Sequence, residues 1–309
     1  MNKSQVATQD RSITRFAFFD NVWVKAARPK TLWIGVSPVI LGWALGLQIG
    51  EFKFLPALVC LLFALLIQIG CNFANDYYDF VKGADKKDRI GFPRAVASGW
   101  IQPHTMKRAM YITLATALVL GSILIAYGGW WLILIGVLCA SLAILYTGGP
   151  FPLAYLGLGD LFVFIFFGIL PVMFTFYVQT NYFSTDSLLA GIVSGLLAMN
   201  ALILNNARDI YADKKVGKLT LAVRLGRKFS HNQYIFNLFA AYLIPAYLYL
   251  RKGHSLPVLL PVLTVPFAIH LIVKLKQIKT DSEYNPLFAQ TCQFLLLYNL
   301  TLALGIAFF

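Results

Sequence analysis

Apolar residues run through this chain in nine stretches separated by short polar loops: 31–50, 54–80, 107–127, 129–146, 158–178, 187–212, 233–250, 256–275 and 286–308. A bilayer core about 30 Å thick is crossed by about 20 apolar residues in a helix. The pattern therefore predicts an all-α, polytopic membrane protein of nine transmembrane helices, of which 129–146 is the shortest. Composition agrees, with 59% hydrophobic and 13% charged residues and a mean hydropathy of +0.69.

Charge placement orients the predicted helices. The segments 1–30, 80–108, 208–228 and 274–279 carry 6, 7, 7 and 3 of the 26 Lys and Arg residues. Lys53, Arg251 and Lys252 are left for the opposite side. With nine helices all the basic segments fall on one face, which the positive-inside rule makes cytoplasmic. The N-terminus is then inside, with residues 1–30 a cytoplasmic tail lacking the apolar region of a cleavable signal and 31–309 one membrane domain. The loop 147–157 lies on the same side without any basic residue, as a buried loop would.

The formal net charge is +13. Its carriers sit in short loops beside predicted spans, where anionic lipid headgroups and anionic substrates account for them without nucleic acid. Cys60, Cys71, Cys139 and Cys292 lie in apolar runs without metal-site spacing, and the four histidines are scattered. Reduced packing cysteines are expected.

The acids are distributed differently. Only 13 Asp and Glu occur in 309 residues, and six of them (Asp76, Asp79, Asp85, Asp88, Asp209 and Asp213) stand at or just beyond the ends of the second and sixth apolar runs. A carboxylate near hydrocarbon is costly, about 2.5–3.5 kcal/mol at the centre of a spanning helix, so such a concentration points to function. On a helix Asn72, Asn75, Asp76 and Asp79 form one stripe. Asn205, Asn206, Asp209 and Asp213 repeat the logic 130 residues later, at the matching end of another span. Two such stripes on one side can face each other across a cavity. Hard oxygen donors without His or Cys suit Mg²⁺ or Ca²⁺, and Mg²⁺ typically binds through a few carboxylates plus substrate phosphates. Lys82, Lys86, Lys87, Arg89 and Arg94 follow the first cluster and Lys214, Lys215, Lys218 and Arg224 the second. A carboxylate–Mg²⁺–diphosphate arrangement rimmed by cations accounts for both sets.

Asn75-Asp-x-x-Asp79 and Asp209-x-x-x-Asp213 resemble the paired motifs of the UbiA superfamily of intramembrane prenyltransferases. Within it, Ala27-Arg-Pro-Lys-Thr-Leu32, Ala74-Asn-Asp-Tyr-Tyr-Asp79, Val81-Lys-Gly-Ala-Asp85-Lys-Lys-Asp-Arg-Ile-Gly91, Asn205-Asn-Ala-Arg-Asp209 and Gly217-Lys-Leu-Thr-Leu-Ala-Val-Arg-Leu-Gly226 resemble the MenA branch. These are the 1,4-dihydroxy-2-naphthoate polyprenyltransferases of menaquinone synthesis. The resemblance runs from about residue 25 to the C-terminus. It implies nine helices around a central cavity in a bacterial cytoplasmic membrane. It also implies Mg²⁺ held by Asn75, Asp79, Asp85, Asn205, Asn206, Asp209 and Asp213, with Asp76, Asp79, Asp209 and Asp213 serving catalysis. The implied partners are a polyprenyl diphosphate, 1,4-dihydroxy-2-naphthoate and membrane lipid, and the implied product is demethylmenaquinol, formed with loss of carbon dioxide.

Candidate substrate contacts extend the set. Arg28 and Lys30, before the first run, are placed to meet the naphthoate carboxylate; their bland role is snorkelling to headgroups. Tyr146 opens a Tyr-Thr-Gly-Gly-Pro turn similar to a family loop near the diphosphate, and Arg94 matches a basic residue there. Lys82, Lys214, Lys218 and Arg224 complete the expected contacts. Pro93-Arg-Ala-Val-Ala-Ser98 stands where the hydroxybenzoate branch usually shows Asn-Arg-Pro-Leu, which argues against 4-hydroxybenzoate as acceptor. A cation-coupled transporter is the more distant alternative. Its acids would sit near the midplane in broken helices, and here they stand at helix ends.

Overall fold

A computed structural model describes residues 21–85 and 89–308. The first twenty residues of the expected tail, Lys86, Lys87 and Asp88 of the first basic loop, and Phe309 lie outside the described residues. Within them every regular element is helical.

A short helix, Val22–Ala27, precedes the bundle. The larger helices then follow as α1 (Pro29–Gln48), α2 (Phe54–Val81), α3 (Pro103–Gly128), α4 (Leu132–Leu145), α5 (Gly159–Thr180), α6 (Thr185–Arg208), α7 (Leu221–Lys252), α8 (Leu256–Gln277) and α9 (Asp281–Ala307). Each predicted span has its helix. Seven are long and apolar enough to cross a membrane by themselves. Of the other two, α4 has only 14 residues, while α7 opens on a basic segment and carries a kink at Gly226 (φ 83°, ψ 169°), a backbone state that glycine adopts readily. The polytopic helical architecture thus stands on seven spans, and the ninefold count depends on α4 and α7.

Burial shows the layering. α6 has 67% of its apolar window inside the protein and α1 and α9 56% each, against 17% for α3 and 28% for α5 and α8. Without a hydrophobic drive between helices in lipid, polar contacts and small residues join them. Asn299 of α9 donates to Ser37 of α1 at 2.9 Å and to Ser194 of α6 at 3.0 Å, all three fully buried. α5 meets α6 so closely that a Cβ on Gly168 would lie 2.2 Å from the Gly195 Cα. That approach coincides with a π-helical turn, Ile165–Ile169, which points Phe166 and Phe167 into an interior cavity.

The loops sort onto two ends. Hydrogen bonds and ion pairs connect the α2–α3, α4–α5, α6–α7 and α8–α9 connections at one end. At the other, Gln48 meets His254 (3.1 Å), His254 meets Asp186 (3.0 Å), and Lys53 binds the backbone of Gln179 (2.6 Å). The connections rich in Lys and Arg share the first end, as an even–odd alternation of spans requires.

Candidate active site

The last turns of α2 do not present their stripe uniformly. Asn72 donates to Ala27 O (2.8 Å) and Thr31 Oγ1 (3.0 Å), tying α2 to the start of α1. Asp76 is 1% exposed, and its two oxygens accept from the backbone N–H groups of Ala95 (2.9 Å) and Val96 (3.1 Å). The structure thus places Asp76, expected to serve catalysis, on the turn that carries Arg94. Burying a carboxylate requires such donors, and this turn supplies them. Asp79, one turn further, is the acid that reaches the cavity.

That cavity has a volume of about 290 Å³ and is lined by Asp79, Asp85, Arg89, Arg208, Asp209 and Asp213, with Lys218 and Lys215 at its edge. Arg89 bridges the two motifs, donating to Asp85 and, at 2.8 Å, to Asp209. Arg94 Nε lies 2.9 Å from Asp85 Oδ2 but off the hydrogen-bond direction, so that contact is an ion pair. Arg208 clamps Asp209 with two bonds, Nε to Oδ1 (2.7 Å) and Nη2 to Oδ2 (2.8 Å). Its other terminal nitrogen, Nη1, donates to Asn285 (2.8 Å), which in turn donates to Ile90 O (2.9 Å). Lys218 stands 3.5 Å from Asp213.

These pairings set the ionisation. Burial alone would raise the Asp209 carboxyl, but the hydrogen bonds and charge of Arg208, with Arg89 beside it, hold it below the usual carboxylate range. Asp213 goes the other way, because burial outweighs Lys218. Lys218 is held above the ordinary lysine value against burial by Asp213, Asp79 and Asp209.

Three acceptors of the cleft are buried without a hydrogen-bond partner, Asp79 Oδ1, Asp85 Oδ2 and Asp213 Oδ2; of these, Asp85 Oδ2 is ion-paired with Arg94. Among the described residues no three His, Cys, Asp or Glu side chains come together closely enough to cage an ion by themselves. An all-oxygen donor set with two unpartnered carboxylate oxygens nevertheless fits Mg²⁺, which keeps waters and shares substrate phosphates. Asp79 and Asp213 are the residues that could hold it, with Asp85 and Asp209 already engaged by arginine.

The second motif also departs from a single stripe. α6 ends at Arg208, Asp209 takes a non-helical conformation, and a separate helical turn, Ile210–Lys215, follows. Asn205 and Asn206 consequently diverge. Asn205 lines the interior chambers, whereas Asn206 faces a side crevice with Tyr146, Asp160 and Thr220, away from the acids with which it was expected to ligate.

Two further chambers adjoin the acidic cleft. One, of about 410 Å³, is basic and aromatic: Arg28, Lys30 and Arg94 line it with Phe92, Trp100 and Phe288. It shares Arg89 and Arg208 with the cleft. Arg28 adopts a left-handed conformation (φ 54°, ψ 72°) between the short helix and Pro29; a non-glycine residue there is strained, a state that concentrates at functional sites. Lys30 lies 4.8 Å over the Phe92 ring. The other chamber is apolar. It begins at Asn75, Tyr146 and Asn205 with about 150 Å³ and continues past Ile67, Cys139, Phe166 and Phe167 into a second space of about 380 Å³ between α1, α2, α3, α4 and α5.

The other expected contacts act on the loop between α4 and α5. Lys82 donates to Thr147 O (2.7 Å), and Thr147 Oγ1 donates to Asn75 Oδ1 (3.0 Å). Arg224 donates to Leu219 O and Leu156 O, each at 3.0 Å. Lys214 is exposed and does not line the cleft. Arg208, Asn285 and Tyr155 were not singled out from sequence. An arginine ending an apolar run beside an acid was a readable signal for Arg208; nothing local marks Asn285, which reaches Ile90 across 195 positions.

Residues 35–300 match the UbiA prenyltransferase family. The chain is 37% identical over 290 residues to the 1,4-dihydroxy-2-naphthoate octaprenyltransferase of Escherichia coli (strain K12), covering 92% of this chain and 94% of that one. It is 36% identical over 298 residues to the Haemophilus influenzae protein of the same name, covering 92% and 95%. Its fold is similar to that of a UbiA homolog from Archaeoglobus fulgidus bound to GPP and Mg²⁺, with a TM-score of 0.65, 14% identity and coverage of 92% and 99%.

Proposed function

The chain belongs to the UbiA prenyltransferase family, and we propose that it transfers a polyprenyl chain from polyprenyl diphosphate to 1,4-dihydroxy-2-naphthoate, releasing carbon dioxide and forming demethylmenaquinol. The observation that carries this reading is the meeting of three unlike chambers. The acidic cleft shares Arg89 and Arg208 with the basic, aromatic chamber, which shares Arg28, Thr31, Asn205 and Phe288 with the apolar one. A metal-associated diphosphate, an aromatic carboxylate and an isoprenoid need three such environments at one junction.

Each environment has its task. Mg²⁺ bound at Asp79 and Asp213 would neutralise diphosphate charge. Lys218, Arg89 and Lys215 add fixed positive charge at the cleft, where the diphosphate departs as its bond to the allylic carbon breaks. In-site stabilisation of developing charge is typically the largest catalytic contribution. Phe166 and Phe167 exclude water from the allylic cation. Arg28, Lys30 and Arg94 hold the acceptor carboxylate, and Phe92 and Phe288 flank its rings. The ring carbon bearing the carboxylate forms the new bond to the prenyl carbon. Carbon dioxide then leaves, and its bonding electrons restore the aromatic ring. The acidic end faces the cytoplasm, on the balance of basic residues, and the bundle from about residue 29 sits in the bacterial cytoplasmic membrane.

Turnover of naphthoate labelled in its carboxylate tests this. Prenylated product without label, at a rate well above that with 4-hydroxybenzoate, is expected. A two-ring acceptor buries more apolar area, worth about 25 cal/mol per Å². Equal turnover of the two acids, or product that keeps its label, would assign the chain to another branch of the family.

A further inference from the structure

The uncharged loop between α4 and α5 is fastened to the first acidic motif and to the segment that follows the second. On one side Lys82 and Asn75 of the first motif hold Thr147. On the other, Leu219 N–H donates to Tyr155 O (3.1 Å) and Arg224 grips Leu156 O. The loop is thus a strap joining the halves of the cleft. Tyr155 is held between two lysines, Lys82, which also grips the loop's backbone, and Lys218 of the cleft: Lys82 Nζ is 4.9 Å and Lys218 Nζ 5.9 Å from the centre of its ring. Both distances are within the reach of cation–π attraction.

The hydroxyl of Tyr155 is buried and has no hydrogen-bond partner. A phenol placed so normally finds one, since leaving a buried donor unmade is unfavourable. Lys218, whose Nζ is 5.9 Å from the ring centre and 3.5 Å from Asp213 Oδ1, joins Tyr155 to the acidic cleft, where Asp79 and Asp213 each have an unpartnered buried oxygen. Three atoms without hydrogen-bond partners, from three separate elements, thus lie in the cleft or on the ring that its Lys218 contacts. Two are acceptors suited to a cation; the third, with its proton, is suited to an anion.

Resting on the diphosphate reading above, we propose that Tyr155 is a substrate-binding residue whose hydroxyl donates to a diphosphate oxygen. The strap sets its position, and Lys82 and Lys218 hold its ring. Because the strap also fixes Asn75, the same segment couples diphosphate binding to the mouth of the apolar chamber.

Tyr155→Phe removes the hydroxyl and keeps the ring with both of its lysine contacts. The test is calorimetric binding of inorganic pyrophosphate with Mg²⁺ to the purified full chain, wild type and variant, together with KM for each substrate. Affinity for pyrophosphate is expected to fall, and KM for polyprenyl diphosphate to rise, by roughly tenfold or more, as for a lost hydrogen bond to a charged group. KM for the naphthoate and the melting temperature should stay at wild-type values. Unchanged pyrophosphate affinity in a stably folded Tyr155→Phe protein would overturn the assignment. So would an equal rise in both KM values, which would make Tyr155 a brace for the loop. A melting temperature that falls without any change in pyrophosphate affinity counts against it in the same way. If wild type itself binds no pyrophosphate, the diphosphate reading fails and the Tyr155 assignment falls with it; a difference confined to the variant isolates Tyr155.

Discussion

The acidic segments at the ends of α2 and α6 carry the same residue types at similar spacing, yet their carboxylates have different duties. In the first, the helix continues through Val81 and sorts its acids by angle: Asp76 turns to the backbone of 95–96 and Asp79 to the cleft. In the second, the helix breaks at Asp209, and two arginines hold that acid while Asp213 beyond the break keeps a free oxygen. Helical spacing decides which residues share a face. The partners brought by distant loops decide which carboxylate is left for a ligand.

The largest effect should follow from the two acids that retain free oxygens. Asp79→Ala and Asp213→Ala are each expected to reduce prenyl transfer by about 10³-fold or more, the scale of losing a main charge-stabilising group, with a melting temperature near wild type. Chelation with EDTA should do the same to wild type. Steady-state rates on purified protein check both, and an active Asp79→Ala protein would break the distinction between the motifs.

The clamped acid should fail differently. Arg208→Ala leaves Asp209 inside the protein with Arg89 alone, and removing one member of a buried pair costs about 3–5 kcal/mol. Thermal denaturation should show a clear fall in melting temperature. Arg208→Lys should recover only part of it, because a point charge cannot reproduce the two-bond clamp. Full recovery by lysine would mean that charge alone suffices at this position.

A smaller effect is expected at Asp76. Asp76→Asn keeps the size of the side chain and weakens two charge-assisted bonds to the 95–96 backbone, a loss of about 2 kcal/mol. Denaturation should register this while KM for both substrates changes little. Least of all, Lys214→Ala should leave rate and stability unchanged, in contrast to Lys218→Ala, which removes the cation beside Asp213. Equal losses at both lysines would return Lys214 to the site.

Much of this was legible along the chain. Apolar run lengths located most of the helices to within a few residues, since a fixed membrane thickness ties length to function, and the shortage of acids made their clustering visible. α7 is the exception, beginning at Leu221 in a basic segment well before its apolar run at 233–250. The roles of individual side chains were less legible. Asp76, Asn206 and Lys214 lie in the right segments, but their directions depend on the turn at 94–99, the break at Asp209 and the side crevice beside Tyr146. Asn285 acts through Arg208 and Ile90, far away in sequence, and Tyr155 is marked by a missing partner; neither leaves a local pattern, whereas Arg208, ending an apolar run beside an acid, does.

The division of labour between the acids is tested most directly by titrating Mg²⁺ and inorganic pyrophosphate onto purified wild type, Asp79→Asn and Asp76→Asn by calorimetry. Wild type is expected to bind, Asp76→Asn to bind equally well, and Asp79→Asn to bind roughly 100-fold more weakly, as for a lost charged contact. Equal weakening in both variants, or weakening in Asp76→Asn alone, would contradict the assignment of the cleft to Asp79.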